Sequence, residues 1–279
     1  MIEYMRKVSI VTPSLNQGRF IEETIKSVQG QEYRNLEHII VDGGSKDDTL
    51  NILRKYEGKI HWISEKDEGQ ADAVNKGFRI ATGEIIGWLN SDDLYLPGTI
   101  RKVVDFFENN PAADWLYGRC RIIDENGQLT RKWISRYKNL LGRKFRYRIL
   151  LLENFISQPS VFFKKSVVEA IGQMDTKRCF TMDYEYWLRI AGKFEPGVLR
   201  EDLACFRIHQ ECKSYLGFKR QFREEFEVAK TYSTGRLVTL IHWFNYWKIV
   251  TIYRLMNQRS LKKGSISGDH LRLNNRGEG

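Results

Sequence analysis

Apolar residues along the first ninety or so positions alternate between two rhythms. Val8 to Thr12 is a near-continuous run rich in β-branched residues, the pattern of a strand buried on both faces. Pro13-Ser14-Leu15-Asn16 breaks it, and Phe20 to Val28 then carries Ile21, Thr24, Ile25 and Val28 at helical spacing. Leu36 to Val41 repeats the strand pattern and stops at Asp42-Gly43-Gly44-Ser45. Ser45 followed by Asp48 resembles a capping box and opens a helix bearing Leu50, Leu53 and Tyr56. Ile60 to Ile63 predicts a short third strand. From about Glu68 to Ala81 the spacing puts Ala71, Val74, Phe78 and Ala81 on one helical face and Glu68, Asp72, Asn75 and Arg79 on another. The apolar stretch from Glu84 to Leu89 predicts a fourth strand.

Such alternation predicts an α/β fold with a parallel, doubly wound sheet. The loops that follow parallel strands open on one edge, so the Pro13-Ser14 loop, Asp42 and Asp92 are expected to converge on one cleft. The pattern continues with a helix from Ile100 to Phe107 and a strand from Trp115 to Tyr117. Arg121 to Ile134, centred on Asp124-Glu125-Asn126-Gly127, reads as a β-hairpin. Val161 to Phe163 is a strand, Ser166 to Ile171 a helix, and Tyr184 to Ala191 a helix preceded by Asp183. Two helices and a tail follow from about Tyr215.

The fourth strand ends in Asn90-Ser91-Asp92-Asp93. Clustered carbonyl and carboxylate oxygens on a short turn suit a hard divalent cation such as Mg²⁺ or Mn²⁺, which in turn suits a diphosphate. The same residues would also close a strand as an Asx-rich turn, and local pattern does not separate the two.

Length and charge narrow the setting. The 279 residues suffice for one large α/β domain with an appendage. Cys120, Cys179, Cys205 and Cys212 have no metal-binding spacing and, with no secretory signal in view, read as reduced thiols of a cytoplasmic protein. Residues 1–115 carry 14 Lys and Arg against 19 acids, and the remainder 31 against 16. The basic half suggests an anionic partner. Arg131 to Arg148 holds eight Lys and Arg and no acid, and is expected to be a solvated or partner-facing loop. Leu237 to Met256 contains His242, Asn245, Lys248 and Arg254 and reads as an interfacial or docked helix, not a membrane span. From Gly264 the polar tail is expected to be disordered.

Four segments agree in order and spacing with the inverting family 2 glycosyltransferases of the GT-A fold. They are VTPSLNQGRFIEETIKSVQGQ, IIVDGGSKDDT, EGQADAVNKGFRIATGEIIGWLNSDD and MDYEYWLRIA, and the chain resembles that family from about residue 8 to 213. The resemblance implies a GT-A, Rossmann-like, mostly parallel sheet with flanking helices. It divides the chain into a glycosyltransferase domain (1–213) with nucleotide-sugar (1–118) and acceptor (119–213) halves, C-terminal helices (214–263) and a tail (264–279). It also implies transfer of a sugar from a nucleotide-sugar donor, UDP-linked, to a hydroxyl of a glycan or lipid-linked saccharide.

Residue by residue, Pro13, Ser14 and Asn16 fall in the loop that lines the nucleotide pocket in similar enzymes. Asp42, beside Gly44, matches the acid that hydrogen-bonds the donor base. Asp72 and Asn75 fall where the ribose or sugar is reached, and Asp92 matches the metal-binding last acid of the D-x-D motif. Asn90 departs from that motif by replacing its first acid, leaving less fixed charge; Ser91 and Asp93 complete the tip. Asp183 matches the general base, with Met182 in place of its usual acidic neighbour and Glu185 as the alternative; as a helix-entry residue it would serve as an N-cap. His209, with Lys213 in FRIHQECKS, falls where a metal- or diphosphate-binding histidine often sits.

A divalent cation is therefore the expected cofactor. The basic 131–148 segment and the C-terminal helices would face an anionic membrane surface, peripherally at the inner face of the plasma membrane. A sugar nucleotidyltransferase shares the sheet topology, but its Gly-rich phosphate loop is not evident in PSLNQGRF. A non-enzymatic anion-binding protein rests on charge alone, and no nucleic-acid-binding motif is present.

Overall fold

The computed structural model describes residues 5–213 and 217–233. The interfacial helix read at Leu237–Met256 and the tail from Gly264 lie outside them. The first half is built as the hydrophobic pattern dictates: β1 (Val8–Ser14), α1 (Ile21–Gln29), β2 (Leu36–Asp42), α2 (Thr49–Lys55), β3 (His61–Ser64), α3 (Gln70–Ile80) and β4 (Ile85–Trp88). β3, β2, β1 and β4 lie side by side, all parallel. Every residue of β1 and β4 is buried, as a strand covered on both faces requires. α3 presses on β1 so closely that a Cβ on Gly77 would lie 2.2 Å from Cγ1 of Val11.

Beyond β4 come β5 (Leu94–Tyr95), α4 (Thr99–Asn109), β6 (Trp115–Ile123), α5 (Lys132–Leu141), α6 (Tyr147–Leu152), a 3₁₀ turn (Gln158–Ser160), β7 (Val161–Lys164), α7 (Lys165–Ile171), α8 (Met182–Ala191), β8 (Gly197–Arg207) and α9 (Phe218–Tyr232). The eight-stranded sheet runs β3-β2-β1-β4-β7-β6-β8-β5. β7 pairs antiparallel with both β4 and β6, whereas β8 lies parallel to β6. The result is a mostly parallel α/β sheet flanked by helices, as expected. β6 crosses residue 118, so the sheet is continuous across the two halves read from the sequence.

Two readings are corrected and two unread strands are added. The hairpin at 121–134 contracts to a turn at Asp124–Gly127 and a single bridge between Ile123 and Leu129, because α5 begins at Lys132. Residues 131–148 are not a loop: they hold α5 and the start of α6, and Trp133, Ile134, Tyr137 and Leu141 give the helical period that the charge count hid. None of the residues of α5 is fully buried, but the segment is not outside the core: Leu141, Phe145 and Tyr147 pack against its main cluster. Strands β5 and β8 carried no strong alternation and became strands by pairing with each other, Leu94 opposite Cys205.

α8 is fixed by its aromatic face. Trp187 stacks on Trp115 of β6 at 6.1 Å, Tyr186 packs edge-on to Phe163 of β7, and the Tyr184 hydroxyl donates to the Leu151 carbonyl at 3.0 Å. Burying three large rings on one short helix sets both its position and its rotation. The Asp183 side chain inherits that placement.

Candidate active site

The edge of the sheet where β1, β2 and β4 end carries a cavity of about 830 Å³. Pro13, Ser14, Asn90, Ser91, Asp92 and Asp183 all line it. Ser14 is buried, and its hydroxyl makes no hydrogen bond within the protein. Asn16, Asp42, Gly44, Asp72, Asn75, Asp93 and His209 do not line the cavity.

Asp42 is fully buried. Its Oδ2 accepts from the backbone N–H of Gly44 (3.0 Å) and Ser45 (2.9 Å) and from the Ser64 hydroxyl (2.6 Å), and its Oδ1 from the Ser45 hydroxyl. A ring N–H of a donor base would have to replace one of those donors. Asn16, at φ 52°, clamps the same loop: its backbone N–H donates to Ser45 Oγ (2.7 Å) and its Oδ1 accepts from the Lys46 N–H (2.8 Å). Asn is among the few side chains that tolerate this left-handed conformation. Gly44, at φ 85°, makes the matching turn.

On α3, Asp72 pairs with Lys76 at 3.3 Å and accepts the Glu68 N–H at 3.2 Å. Asn75 is buried and exchanges two hydrogen bonds with the backbone of Met174, at 2.8 and 3.0 Å. Neither residue lines the cavity; Asp67, Gly69, Gln70 and Ala73 from the same region do. Gln70 was not singled out in the sequence. It donates to Asn90 Oδ1 at 2.8 Å and accepts from Lys213 Nζ at 3.0 Å.

The tip of β4 divides its four residues between two duties. Asn90 Oδ1 also accepts from the Trp88 indole at 2.9 Å, and its Nδ2 donates to Asp93 Oδ2 at 3.3 Å. An aspartate at 90 would set a second carboxylate against Asp93, which accounts for the amide. Asp93 is fully buried, and burial together with the neighbouring Asp92 charge holds its carboxyl well above the usual range. It faces inward, where its Oδ1 accepts the Arg207 N–H at 2.8 Å.

Arg207 is 1 % exposed and organises the turn from beneath. Its guanidinium donates to the carbonyls of Asp92 (2.8 Å) and Glu125 (3.1 Å) and to Glu23 (2.6 Å), and lies 4.9 Å over the Phe20 ring. An arginine directly after the apolar run Leu203–Phe206 was the signal in the sequence.

That leaves Asp92 facing the cavity. Its Oδ2 lies 3.1 Å from Nε2 of His209, which is buried against Phe20 and whose Nδ1 has no hydrogen-bond partner. Among the described residues no cluster of three or more His, Cys, Asp or Glu could enclose a metal. One carboxylate oxygen and one imidazole nitrogen form a partial donor set that Mg²⁺ or Mn²⁺ accepts when water and substrate oxygens supply the rest. The residues fit an ion completed by its ligand, not a closed protein cage.

Asp183 occupies the first turn of α8. Burial pushes its carboxyl above the ordinary aspartate value, opposed by the Tyr184 N–H, the Lys138 charge and the Asn154 side chain. Glu185 is taken up elsewhere, accepting from Arg189 (2.8 and 2.9 Å) and the Tyr232 hydroxyl (2.5 Å). A second carboxylate that the sequence did not flag, Glu225 of α9, lines the same cavity, and burial lifts its carboxyl to about 7.

Residues 9–172 match the family described as Glycosyl transferase family 2. The chain belongs to that family. The match ends before α8, so Asp183, His209 and α9 of this family 2 glycosyltransferase lie outside it. Its relatives include the uncharacterized glycosyltransferase MJ1057 of Methanocaldococcus jannaschii, 27% identical over 259 residues, covering 87% of this chain and 84% of the relative. The uncharacterized glycosyltransferase Rv1514c of Mycobacterium tuberculosis is 31% identical over 198 residues, 69% of this chain and 72% of that one. Against RC0461 of Rickettsia conorii the identity is 31% over 191 residues, 67% of this chain, and the chain spans about a third (32%) of that relative's length.

Among solved structures, the mannosyltransferase PcManGT of Pyrobaculum calidifontis in complex with GDP-Man and Mn²⁺ superposes with a TM-score of 0.67, over 98% of this chain and 82% of that one. S. aureus TarS in complex with UDP-GlcNAc gives 0.63 over 80% and 65%. At 18% and 17% identity these likenesses concern the fold.

Proposed function

We propose that this family 2 glycosyltransferase moves a sugar from a nucleotide-sugar, UDP-linked, to a hydroxyl of a glycan or lipid-linked saccharide, with inversion at the anomeric carbon. The observation that carries the reading is the shared cavity: Asp183 at the start of α8 and the Asn90–Asp92 tip of β4 open onto one space. Inversion by single displacement needs a base for the attacking hydroxyl and a stabilised leaving diphosphate, and these two groups match those needs. The nucleotide-sugars bound by TarS and PcManGT support the donor class, though one is UDP-linked and the other GDP-linked.

In this reading Asp183 takes the proton of the acceptor hydroxyl as the new C–O bond forms and the diphosphate departs. Its desolvated carboxylate is a stronger base than one in water. Asp92 and His209 would hold a divalent cation. When bound, such an ion supplies Lewis-acid stabilisation of the leaving group's charge. Pro13, Ser14 and Asp67 border the nucleotide, while Asp42 and Asn16 keep the Gly43–Lys46 loop in place for it. Incubation of a panel of nucleotide-sugars with Mn²⁺ and a panel of glycan and lipid-linked saccharide acceptors tests the reading. Release of nucleoside diphosphate supports it; formation of nucleoside triphosphate when pyrophosphate is added, or no turnover of any donor, refutes it.

The basic 131–148 segment is assigned to an anionic surface at the cytoplasmic leaflet. Its support is the exposed Leu140 on α5 together with the exposed Lys132 and Arg136, none of which lines the cavity. No helix among the described residues is long and apolar enough to cross a membrane. A protein that stays in solution with anionic vesicles at low salt in a flotation assay would sink this assignment.

A further inference from the structure

One wall of the cavity is made by α5, the segment after α6, the start of α8, and α9. Several of its buried polar atoms are acceptors. Glu225 is 7 % exposed, and Gln221, on the same helix, donates to its carboxylate at 3.2 Å. It faces Asp183 from α8, Glu153 from the end of α6 and Lys138 from α5. Gln158 is 8 % exposed; its Nε2 donates to the Trp88 carbonyl at 2.5 Å, while its Oε1 has no donor among the described residues. Asn154 Oδ1 is buried and likewise without a donor.

Buried acceptors without donors are costly unless a ligand supplies the missing hydrogens. Three carboxylates and two amide oxygens stand here against Arg131 and Lys138. A phosphate or carboxylate would meet like charge, whereas a polyhydroxylated ligand brings the donors the wall lacks. Two aromatic rings fit the same ligand. Trp133 is 52 % exposed on a helix with no fully buried residue, and Tyr137 is held in place by its hydroxyl, which donates to Glu153 at 2.7 Å. Both line the cavity and offer flat apolar faces.

α9 is also tied to the base. Glu224, next to Glu225, accepts from the N–H groups of Cys179 (3.1 Å) and Phe180 (3.3 Å) and from the Thr181 hydroxyl (3.0 Å), the residues leading into α8.

We infer that α9 completes an acceptor subsite for a neutral saccharide, with Glu225 and Gln158 accepting from its hydroxyls and Trp133 and Tyr137 covering its apolar face. The inference rests on the transferase reading of this cavity and specifies its acceptor class. Glu225 is a specificity-determining residue in it, and the region that carries it lies beyond the family match.

Saturation-transfer NMR on the full chain tests it, with methyl glucoside, methyl mannoside, methyl N-acetylglucosaminide, methyl glucuronide and inorganic phosphate as probes. At least one neutral glycoside is expected to bind, and Glu225→Leu and Trp133→Ala are each expected to weaken it about tenfold, the scale of one lost hydrogen bond to a charged group or one lost ring contact. Glucuronide and phosphate are expected not to compete. UDP binding with Mn²⁺, measured on the same samples, is expected to be unchanged and reports that the variants are folded. Neutral glycosides bound equally by wild type and variants, or bound no better than glucuronide, would overturn the subsite. Glycoside binding as expected, with no nucleoside diphosphate bound by the wild type, would instead overturn the transferase reading and leave the saccharide site standing.

Discussion

His209 Nε2 lies 3.1 Å from Asp92 Oδ2, although the two residues are 117 positions apart in the chain. The pairing of β8 with β5 and β6 brings them together: β8 ends at Arg207, two residues before the histidine. With only these two side chains converging, a cation is expected to bind weakly alone and tightly with a nucleoside diphosphate. Calorimetry should show UDP raising Mn²⁺ affinity in the wild type. His209→Ala and Asp92→Ala should each reduce Mn²⁺-dependent UDP affinity at least about tenfold, the loss expected from one ligand of a partial site. An unchanged affinity in His209→Ala would remove the histidine from the cation site.

Asp183→Asn keeps shape and removes the base. Turnover is expected to fall by about 10²–10⁴, the range for a positioned general base, with UDP affinity preserved. Because burial raises the carboxyl, the acid limb of the wild-type pH profile should lie above the ordinary aspartate value. NMR of the product should show the inverted anomer. A retained anomer or full turnover by the asparagine variant would exclude this base.

Arg207 joins three segments through one buried guanidinium, so its replacement acts on structure and site together. Arg207→Met leaves the Asp92 and Glu125 carbonyls without their donor and Asp93 without a nearby cation. Unfolding by urea should show a loss of about 3 kcal/mol, the low end for breaking a buried ionic cluster. The half-exposed Glu23 contributes little of that. Mn²⁺-dependent UDP binding should weaken in the same variant. A stability within 0.5 kcal/mol or so of wild type would contradict this, being what surface substitutions show.

Glu225 makes stability depend on pH. Its folded carboxyl titrates at about 7 because it is buried, whereas in the unfolded chain it titrates near the ordinary 4.5. Between those values the unfolded state has lost the proton that the folded state retains. Stability from this group is therefore fully present below about 4.5 and falls as pH rises to about 7, by about 3 kcal/mol at most. Melting temperature should decline over that window in the wild type, and the decline should flatten in Glu225→Gln. An equal slope in both would assign the pH dependence to other groups.

The sequence by itself determined the first half of the protein. Buried parallel strands must be continuous apolar runs and their covering helices must be amphipathic, so local pattern and global fold agree from Val8 to Trp88. The polar tips follow from the same rule, and Pro13, Ser14, Asn90, Asp92 and Asp183 do reach one cavity. Tertiary structure alone decided the rest. β5 and β8 exist because they pair, and α5 declared itself by period beneath a charge run that read as loop. Asn75 and Asp93 look alike in sequence to residues that face the cavity, yet hydrogen bonds to Met174 and Arg207 turn them inward. Glu225 had no signal at all: a glutamate on a polar helix becomes a buried, donor-poor carboxylate beside Asp183 only when α9 folds across α6 and α8. Local pattern specifies which residues are hidden from water. Which hidden polar groups meet one another depends on contacts between distant elements, and no window of sequence contains them.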